Sequence, residues 1–343
     1  MSGEVGIVHI GCYTVEGGGR GTGIVAARRD ADTGELELLG VVAATPSPSF
    51  LARHPRLPVL YAVNELAEGT VSAWTVRPDG ALTPLAVRAT GGADPCHLAV
   101  DPAGTFLYVA NYGSGSVAVH PLDGTGAPGD RSDLVVHDGR GPVPDRQAGP
   151  HAHMVSPDPT GTGLLAVDLG ADTLYRHHRD AAGRLRTTAR IPTAPGTGPR
   201  HLARHPDGRR CFVAGELDAS VTAYAWDGPD RLAERGRVRA SERPGPVQPS
   251  EIAVRPDGRF LYLANRGAGT VTVFALDAEV PRYLAEVQGI GDWPRHLALL
   301  GRHLYVAEER ADAVAVFAVD PGSGIPAAPP TRVAVASPTC LLG

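Results

Sequence analysis

The sequence has 343 residues, more than most single hydrophobic cores use, which favours either two domains or a repeat architecture. Hydrophobic residues make up 43%, so the composition is that of a packed globular protein and not of a disordered chain. The formal net charge is -5 and no long basic run occurs, which argues against nucleic acid or an anionic membrane as a partner.

One pattern recurs along the chain: a proline, two further residues, a short apolar run and often the turn sequence PxG. It begins at seven prolines: Pro48, Pro95, Pro150, Pro199, Pro249, Pro294 and Pro338. Successive prolines lie 44 to 55 residues apart, a period typical of propellers, solenoids and arrays.

The content of each period predicts β-strands. Apolar runs rich in Val, Leu and Tyr follow the PxG turns, at 60–65, 107–112, 164–169, 211–216, 261–266 and 304–309. A turn, a third apolar run and a looser fourth segment come next in each period. No segment has the sustained 3.6-residue apolar period of a core helix. Four strands per period predict a propeller blade.

The two chain ends predict how the ring closes. The last period, SPTCLLG, stops after one strand, whereas GIVHIGCYT near the N-terminus matches the second strand of the other periods. Three N-terminal strands and one C-terminal strand would complete a seventh blade without an unpaired edge. We therefore predict an all-β fold, a single seven-bladed β-propeller domain over residues 1–343 with four-stranded antiparallel blades.

Equivalent positions in the seven periods form rings around the predicted central channel. The residues directly after the prolines are Ser49, Cys96, His151, Arg200, Ser250, Arg295 and Thr339. The next residues are Phe50, His97, Ala152, His201, Glu251, His296 and Cys340. Because side chains alternate along a strand, these two sets should point in different directions. A further ring follows the second strands: Tyr13, Glu65, Tyr112, Leu169, Glu216, Arg266 and Glu309.

Four ring residues from three consecutive periods are the candidate catalytic residues: His151, Arg200, Glu216 and Arg266. Two guanidiniums suit a phosphate, a carboxylate or the oxyanion of an opening lactone. A carboxylate beside an arginine stays ionised and can deprotonate water, and a histidine can carry a proton near neutral pH. The alternative is that each is a solvated residue at a strand end, but four such residues at one channel mouth favour a site. The base is either Glu216 or His151.

The motifs around these residues resemble the lactonase family of seven-bladed β-propellers, which includes 6-phosphogluconolactonases and carboxymuconate cyclases. The most specific are GPHAH at 149–153, GPRH at 198–201, GELD at 215–218 and ANRG at 264–267. The resemblance implies that His151, Arg200, Glu216 and Arg266 are the family's His, Arg, Glu and second Arg. One departure is Gly215, where many relatives have Asn. This glycine is expected to loosen the loop that carries Glu216.

The resemblance also implies an activity, metal-independent hydrolysis of a phosphorylated or carboxylated sugar lactone. Further substrate-binding residues are expected around the channel: His97, His153, His201, Arg295, Tyr13 and Tyr112. The expected partner is a small anionic lactone, and the expected assembly is a monomer or weak homodimer. A cyclase or isomerase that forms a lactone, and a non-catalytic binding scaffold, remain alternatives because propellers host many functions.

No metal or cofactor is expected. His151 and His153 form an HxH pair, but no third zinc ligand accompanies them. Side-chain oxygens at the ends of the second strands could imitate a calcium site but more often bond to turns: Asn64, Asn111, Asp168 and Asn265. The sequence GGGRGTG at 17–23 opens no helix, so a loop near the mouth is expected there and not a nucleotide site.

The remaining features predict a cytoplasmic protein. The N-terminus lacks the basic and apolar parts of a secretory signal, and no apolar segment approaches the roughly 20 residues of a membrane span. The four cysteines are far apart in sequence and form no CxxC pair, so reduced thiols are expected. His177 and His178 fall in an outer strand and are expected at the surface.

Overall fold

The computed structural model describes residues 5–228 and 231–343, and it consists of seven four-stranded antiparallel sheets. The predicted seven-bladed β-propeller is confirmed. Blade 1 combines both chain ends: β1 (Val5–Cys12), β2 (Ile24–Asp30), β3 (Leu36–Ala43) and β28 (Pro338–Leu342). Strand β28 pairs with β1, with Leu341 opposite Ile10, so the ring closes through hydrogen bonds as the two ends of the sequence predict.

Blades 2 to 4 follow in chain order. Blade 2 contains β4 (Leu51–Arg53), β5 (Val59–Asn64), β6 (Thr70–Val76) and β7 (Leu82–Ala89). Blade 3 contains β8 (Pro95–Val100), β9 (Phe106–Asn111), β10 (Ser116–Pro121) and β11 (Asp133–Val136). Blade 4 contains β12 (Ala152–Pro157), β13 (Gly163–Asp168), β14 (Thr173–Arg179) and β15 (Leu185–Pro192).

Blades 5 to 7 complete the ring. Blade 5 contains β16 (Pro199–Arg204), β17 (Arg210–Gly215), β18 (Ser220–Trp226) and β19 (Leu232–Arg239). Blade 6 contains β20 (Gln248–Val254), β21 (Phe260–Arg266), β22 (Thr270–Ala275) and β23 (Arg282–Val287). Blade 7 contains β24 (Pro294–Leu300), β25 (His303–Glu308), β26 (Ala313–Ala318) and β27 (Thr331–Ala334).

Among the residues that the structure describes, two short helices interrupt the strands. One is a 3₁₀ turn (Val15–Gly17) after β1, and the other is α1 (Pro144–Gln147) between blades 3 and 4. Within the described ranges, no helix is long and apolar enough to cross a membrane.

The hydrophobic core lies between neighbouring blades. The second strands are almost completely buried, as in β5, where every residue is buried, whereas outer strands such as β3 are mostly exposed. One cluster packs Tyr262 and Val271 of blade 6 against Leu304 and Val306 of blade 7. Because each blade needs the next one to cover its faces, the ring positions the inner strands, and therefore the channel residues, rigidly.

Candidate active site

The pairing of first and second strands brings the predicted rings to one end of the channel. In blade 5, Pro199 lies opposite Gly215, and in blade 6, Gln248 lies opposite Arg266. In these two blades the start of the first strand, with the repeat proline, therefore lies beside the end of the second strand, where Glu216 and Arg266 are found. We call this end of the channel the mouth, defined by Tyr13, Glu65, Tyr112, Leu169, Glu216, Arg266 and Glu309.

The expected alternation of the first two rings is wrong in three blades. Both residues after the proline line one narrow cavity on the channel axis: Ser49 with Phe50, Arg200 with His201, and Arg295 with His296. In blade 5 the cause is a shift in strand pairing between Pro199 and Leu202, which leaves the two residues between them out of the ladder. Such a bulge re-aims side chains that strict alternation would separate.

Glu216 is the centre of a charged cluster at the mouth. The carboxylate is 2% exposed, and Arg266 Nη2 donates a 2.6 Å hydrogen bond to its Oε2. Arg146 Nη2 lies 2.5 Å from Oε1, and Arg200 Nε lies 3.1 Å from Oε2. The Glu216 backbone N–H donates to the Gly198 carbonyl, which holds the residue at the end of β17. The structure thus brings three of the four predicted catalytic residues into direct contact.

The three guanidiniums keep Glu216 ionised. Burial alone would raise the pKa of this carboxyl, but the charges of Arg266, Arg200 and Arg146 lower it to about 2. A carboxylate with so low a pKa accepts a proton poorly at neutral pH. This environment argues for Glu216 as the group that positions the arginines, and against Glu216 as the base.

Arg200 has unused hydrogen-bonding capacity. Its side chain is 3% exposed; Nε lies in the ion pair with Glu216, but Nη1 is buried without a hydrogen-bond partner among the described residues. Burial and the nearby charge of Arg266 lower the pKa of Arg200 to about 10, although Glu216 opposes this, so the side chain remains a cation at neutral pH. Buried N–H groups of a cation are costly unless they are paired, so these donors suit an anionic ligand atom.

His151 joins this cluster through Tyr112. The two rings stack with centroids 4.5 Å apart, and Arg146 Nη2 donates a 3.5 Å hydrogen bond to the Tyr112 hydroxyl. His151 Nδ1 lies 2.9 Å from the Tyr112 carbonyl oxygen. Because a carbonyl only accepts, Nδ1 carries the proton, and the lone pair of the neutral ring is on Nε2. His151 can therefore act as a base through Nε2.

Arg146 was not among the residues that the sequence singled out. It lies on α1, outside the repeat, so ring equivalence does not reach it. The signal that points to it is spacing: the interval from Pro95 to Pro150 is 55 residues, the longest in the chain.

The other half of the mouth contains a second charged group. The Arg295 guanidinium donates to the Tyr13 hydroxyl, which in turn donates a 2.8 Å hydrogen bond to Glu65. Arg295 also lies 3.5 Å from Glu309 Oε2. Burial would lower the pKa of Arg295, but Tyr13, Glu309 and Glu65 hold it above its usual value. Of the predicted substrate-binding residues, Tyr13, Tyr112 and Arg295 thus lie at the mouth.

Three predicted substrate-binding histidines lie in the channel interior. His97 packs on Phe50 with ring centroids 4.1 Å apart, and His201 contacts His97 and His153 edge to face. Burial, followed by neighbouring positive charges, lowers the pKa of each of these histidines well below its usual value. They are neutral and packed together, and their contact with substrate stays a prediction.

The space beside Gly215 is filled by neighbouring side chains. A Cβ there would lie 2.4 Å from Asp218 Oδ1 and 2.6 Å from Ser220 Oγ. Asp218 accepts a 2.6 Å hydrogen bond from Ser220 and pairs with Arg237. The loop that carries Glu216 is thus held by Asp218, which replaces the side chain that the glycine lacks.

The predicted turn bond is made by Asp168, which accepts from the backbone N–H of Ala171 at 2.9 Å, whereas the other bonds of these polar residues include ones to neighbouring strands. Asn265 Nδ2 bonds to Thr272 Oγ1 at 2.8 Å, and Asn64 Oδ1 accepts from Ser72 at 2.6 Å. Asp168 accepts from the backbone N–H of His151 at 2.8 Å. Among residues 5–228 and 231–343, no three His, Cys, Asp or Glu side chains are grouped to hold a metal ion.

The predicted surface position is right for His178 and wrong for His177. His177 is completely buried, and its Nε2 lies 3.3 Å from His137 Nε2. His137 Nδ1 in turn lies 2.7 Å from Asp168 Oδ2. His137 follows β11 of blade 3, so the face of β14 that carries His177 packs against the neighbouring blade and is internal.

The glycine-rich stretch at 17–23 wraps around Tyr13, as expected for a loop near the mouth. A Cβ on Gly19 would lie 2.4 Å from the Tyr13 carbonyl oxygen, and one on Gly17 would lie 2.7 Å from the Tyr13 ring. Only glycine permits this close approach of the loop to a mouth residue.

Comparison with known proteins agrees with this architecture. The chain is 31% identical to the 6-phosphogluconolactonase of Bacillus subtilis over 84% of its own length and 83% of the relative. It is 27% identical to that of Formosa agariphila, over 81% and 82% of the two chains. The solved structure of a periplasmic gluconolactonase from Pseudomonas aeruginosa superposes with a TM-score of 0.92 at 31% identity, over 99% of both chains. The model of the family described as "Lactonase, 7-bladed beta-propeller" matches residues 7–342, and the chain belongs to this family.

Proposed function

We propose that the protein is a lactone hydrolase that opens a 6-phosphogluconolactone-like sugar lactone at the channel mouth without a metal ion. The observation that carries the proposal is the buried Arg200 guanidinium, which is oriented by the ion pair of its Nε with Glu216 and whose Nη1 has no hydrogen-bond partner among the described residues. The names of the relatives support a sugar lactone as substrate. Neither ring closure nor a non-catalytic scaffold is favoured by these comparisons.

In the proposed mechanism, His151 Nε2 takes a proton from a water molecule whose oxygen bonds to the lactone carbonyl carbon. Arg200 and Arg266 stabilise the oxyanion that forms, because their donors are already oriented by Glu216. The bond from the carbonyl carbon to the ring oxygen then breaks, and His151 returns the proton to the departing alkoxide. The product is a hydroxy acid, which releases a proton as it ionises.

The first prediction tests this mechanism by proton release from 6-phosphogluconolactone, with spontaneous hydrolysis subtracted. Arg200→Ala is expected to lower kcat by about 10²–10³-fold because it removes oxyanion donors. His151→Ala is expected to lower kcat by about 10²–10⁴-fold because it removes the base. Arg282→Ala is the matched control, since Arg282 is exposed and pairs only with Asp277 among the described residues.

Chelator is expected to leave the parent rate unchanged. The proposal would be contradicted by an Arg200→Ala variant that is as active as the parent, or by a rate that chelation abolishes.

We also propose that the protein is cytoplasmic and is a monomer or weak homodimer. The four cysteines are free and buried, which suits a reducing compartment, but one structural relative is described as periplasmic. Cell fractionation tests the location, and sedimentation velocity tests the assembly. Recovery of the protein in a periplasmic fraction, or a stable larger oligomer, would overturn the respective proposal.

A further inference from the structure

We infer that Arg146 is the residue that recognises the phosphate of the substrate and sets the preference for phosphorylated over unphosphorylated lactones. The inference rests on the proposed lactone hydrolysis and names the group that distinguishes one lactone from another. Arg146 lies on α1, in the 15-residue connection between β11 and β12. The other six connections between blades have three to eight residues. The insertion is thus a local addition to the propeller at the edge of the mouth.

The insertion is anchored so that Arg146 faces the mouth. The neighbouring Gln147 is completely buried, and its Nε2 donates a 2.8 Å hydrogen bond to the Leu169 carbonyl. Gln147 Oε1 accepts from the backbone N–H of Val143 at 3.2 Å, which ties the start of α1 to its end. Leu169 belongs to the mouth ring, so this anchor connects the insertion directly to the site.

Arg146 is the most accessible of the three guanidiniums around Glu216. Its side chain is 35% exposed, compared with 3% for Arg200 and 7% for Arg266. Arg146 contacts Oε1 of Glu216, whereas the two buried arginines lie at Oε2. Movement of Arg146 toward a ligand would therefore leave the other oxygen of Glu216 paired. Arg146 is also the one of the three guanidiniums that solvent reaches to a substantial extent, so an anion from solution can approach it while Glu216 stays buried.

The charge of the cluster matches a phosphate monoester. Three guanidiniums surround the Glu216 carboxylate, which leaves this cluster with two net positive charges, while Arg295 with Glu65 and Glu309 carries one net negative charge elsewhere at the mouth. A phosphate monoester carries a charge of about -1.5 to -2 at pH 7, and arginine binds its oxygens through paired donors. A neutral lactone offers no such group, and its reaction needs only the oxyanion donors Arg200 and Arg266. Arg146 should therefore matter for the phosphorylated substrate alone.

The test compares 6-phosphogluconolactone with glucono-δ-lactone for the parent, Arg146→Ala, Arg146→Lys and Arg140→Ala. Arg140 is an exposed arginine of the same insertion and serves as the matched control. Arg146→Ala is expected to lower kcat/KM for the phosphorylated lactone by about 10–100-fold, mainly through KM. For glucono-δ-lactone, kcat/KM of Arg146→Ala should stay within about twofold of the parent's value. Lysine should restore part of the loss, because it keeps the charge but not the paired donors.

An equal loss for both lactones would overturn the inference, because Arg146 would then act only through Glu216 or the fold. No loss for either lactone would overturn it as well. If the parent opens neither lactone, the proposed hydrolysis fails while the inference about Arg146 can still be judged. In that case calorimetry with 6-phosphogluconate and gluconate decides: the inference requires tighter binding of the phosphorylated acid, and loss of that difference in Arg146→Ala.

Discussion

Glu216 illustrates how neighbouring charges assign a role to one residue. By sequence alone it is equally a base or an orienting group, because a carboxylate beside an arginine can be either. In the structure both of its oxygens are engaged by guanidiniums, and its pKa falls to about 2. His151 donates through Nδ1 to the Tyr112 carbonyl, so its Nε2 carries the lone pair that can accept a proton.

The second prediction concerns the pH dependence of stability. The pKa of Glu216 is about 2 in the folded protein and about 4.3 in an unfolded chain, so its ionised form stabilises the fold at neutral pH. This contribution is complete above about pH 5 and is lost as the pH falls toward 2. Glu216→Gln is therefore expected to lower the free energy of unfolding by about 3 kcal/mol at pH 7.

The measurement is urea denaturation of the parent and Glu216→Gln at pH 7 and near pH 3. The difference in free energy of unfolding between the two proteins should be smaller near pH 3. Glu37→Gln is the control, because the Glu37–Arg28 pair is exposed and should contribute little. If the two proteins differed equally in free energy of unfolding at both pH values, the charge of Glu216 would not be the source of that difference.

At the scale of strands, the blades are joined by hydrogen bonds that repeat around the ring. Tyrosines of second strands donate to a glycine carbonyl of the next blade: Tyr61 to Gly126, Tyr262 to Gly324 and Tyr305 to Gly34, at 2.6 to 2.8 Å. Histidines near the first strands contact the next blade in a similar way, as His54 does with Gly104 at 3.0 Å. In these three blades the tyrosine ring fills the core and its hydroxyl links neighbouring blades.

The third prediction tests one of these links. Tyr262→Phe keeps the buried ring but removes the hydroxyl that bonds to Gly324, leaving a buried carbonyl without that donor. The free energy of unfolding should fall by about 1–2 kcal/mol, with lactone hydrolysis unchanged. Tyr283→Phe is the matched control, since this hydroxyl is exposed on an outer strand. Equal stability of the two variants in urea denaturation would contradict the role of the link.

For the whole molecule, closure of the ring depends on five residues at the C-terminus. Strand β28 lies innermost in blade 1 and contacts the first strand of blade 7 as well as β1. Its Cys340 and Leu341 are buried in two different clusters of the core. Without β28, the edge of β1 and the facing surface of blade 7 would both be exposed.

The fourth prediction follows from this closure. A chain that ends before Pro338 is expected to lose cooperative unfolding, because the lost contacts are comparable with the whole stability of a domain, about 5–15 kcal/mol. A circular permutant supplies the control: it joins β28 to β1 through a short linker and opens the chain between blades 1 and 2. The permutant should unfold cooperatively, as monitored by circular dichroism. A truncated chain as stable as the parent would show that closure is unnecessary.

The blade count, the closure of the ring and the four ring residues follow from the sequence, because a repeat encodes equivalent positions by spacing alone. His151, Arg200, Glu216 and Arg266 can thus be found without coordinates. The family resemblance chooses the same four, since its motifs contain these positions.

Three features were decided only by the tertiary structure. A bulge directs Arg200 and His201 toward the same cavity. Arg146 contacts Glu216 from an insertion outside the repeat. Asp218 occupies the space beside Gly215. Each depends on side chains that meet across chain separations with no periodic relation. A repeat pattern specifies which positions are equivalent, but the direction of a side chain, its partners and its proton affinity arise from the packed surroundings.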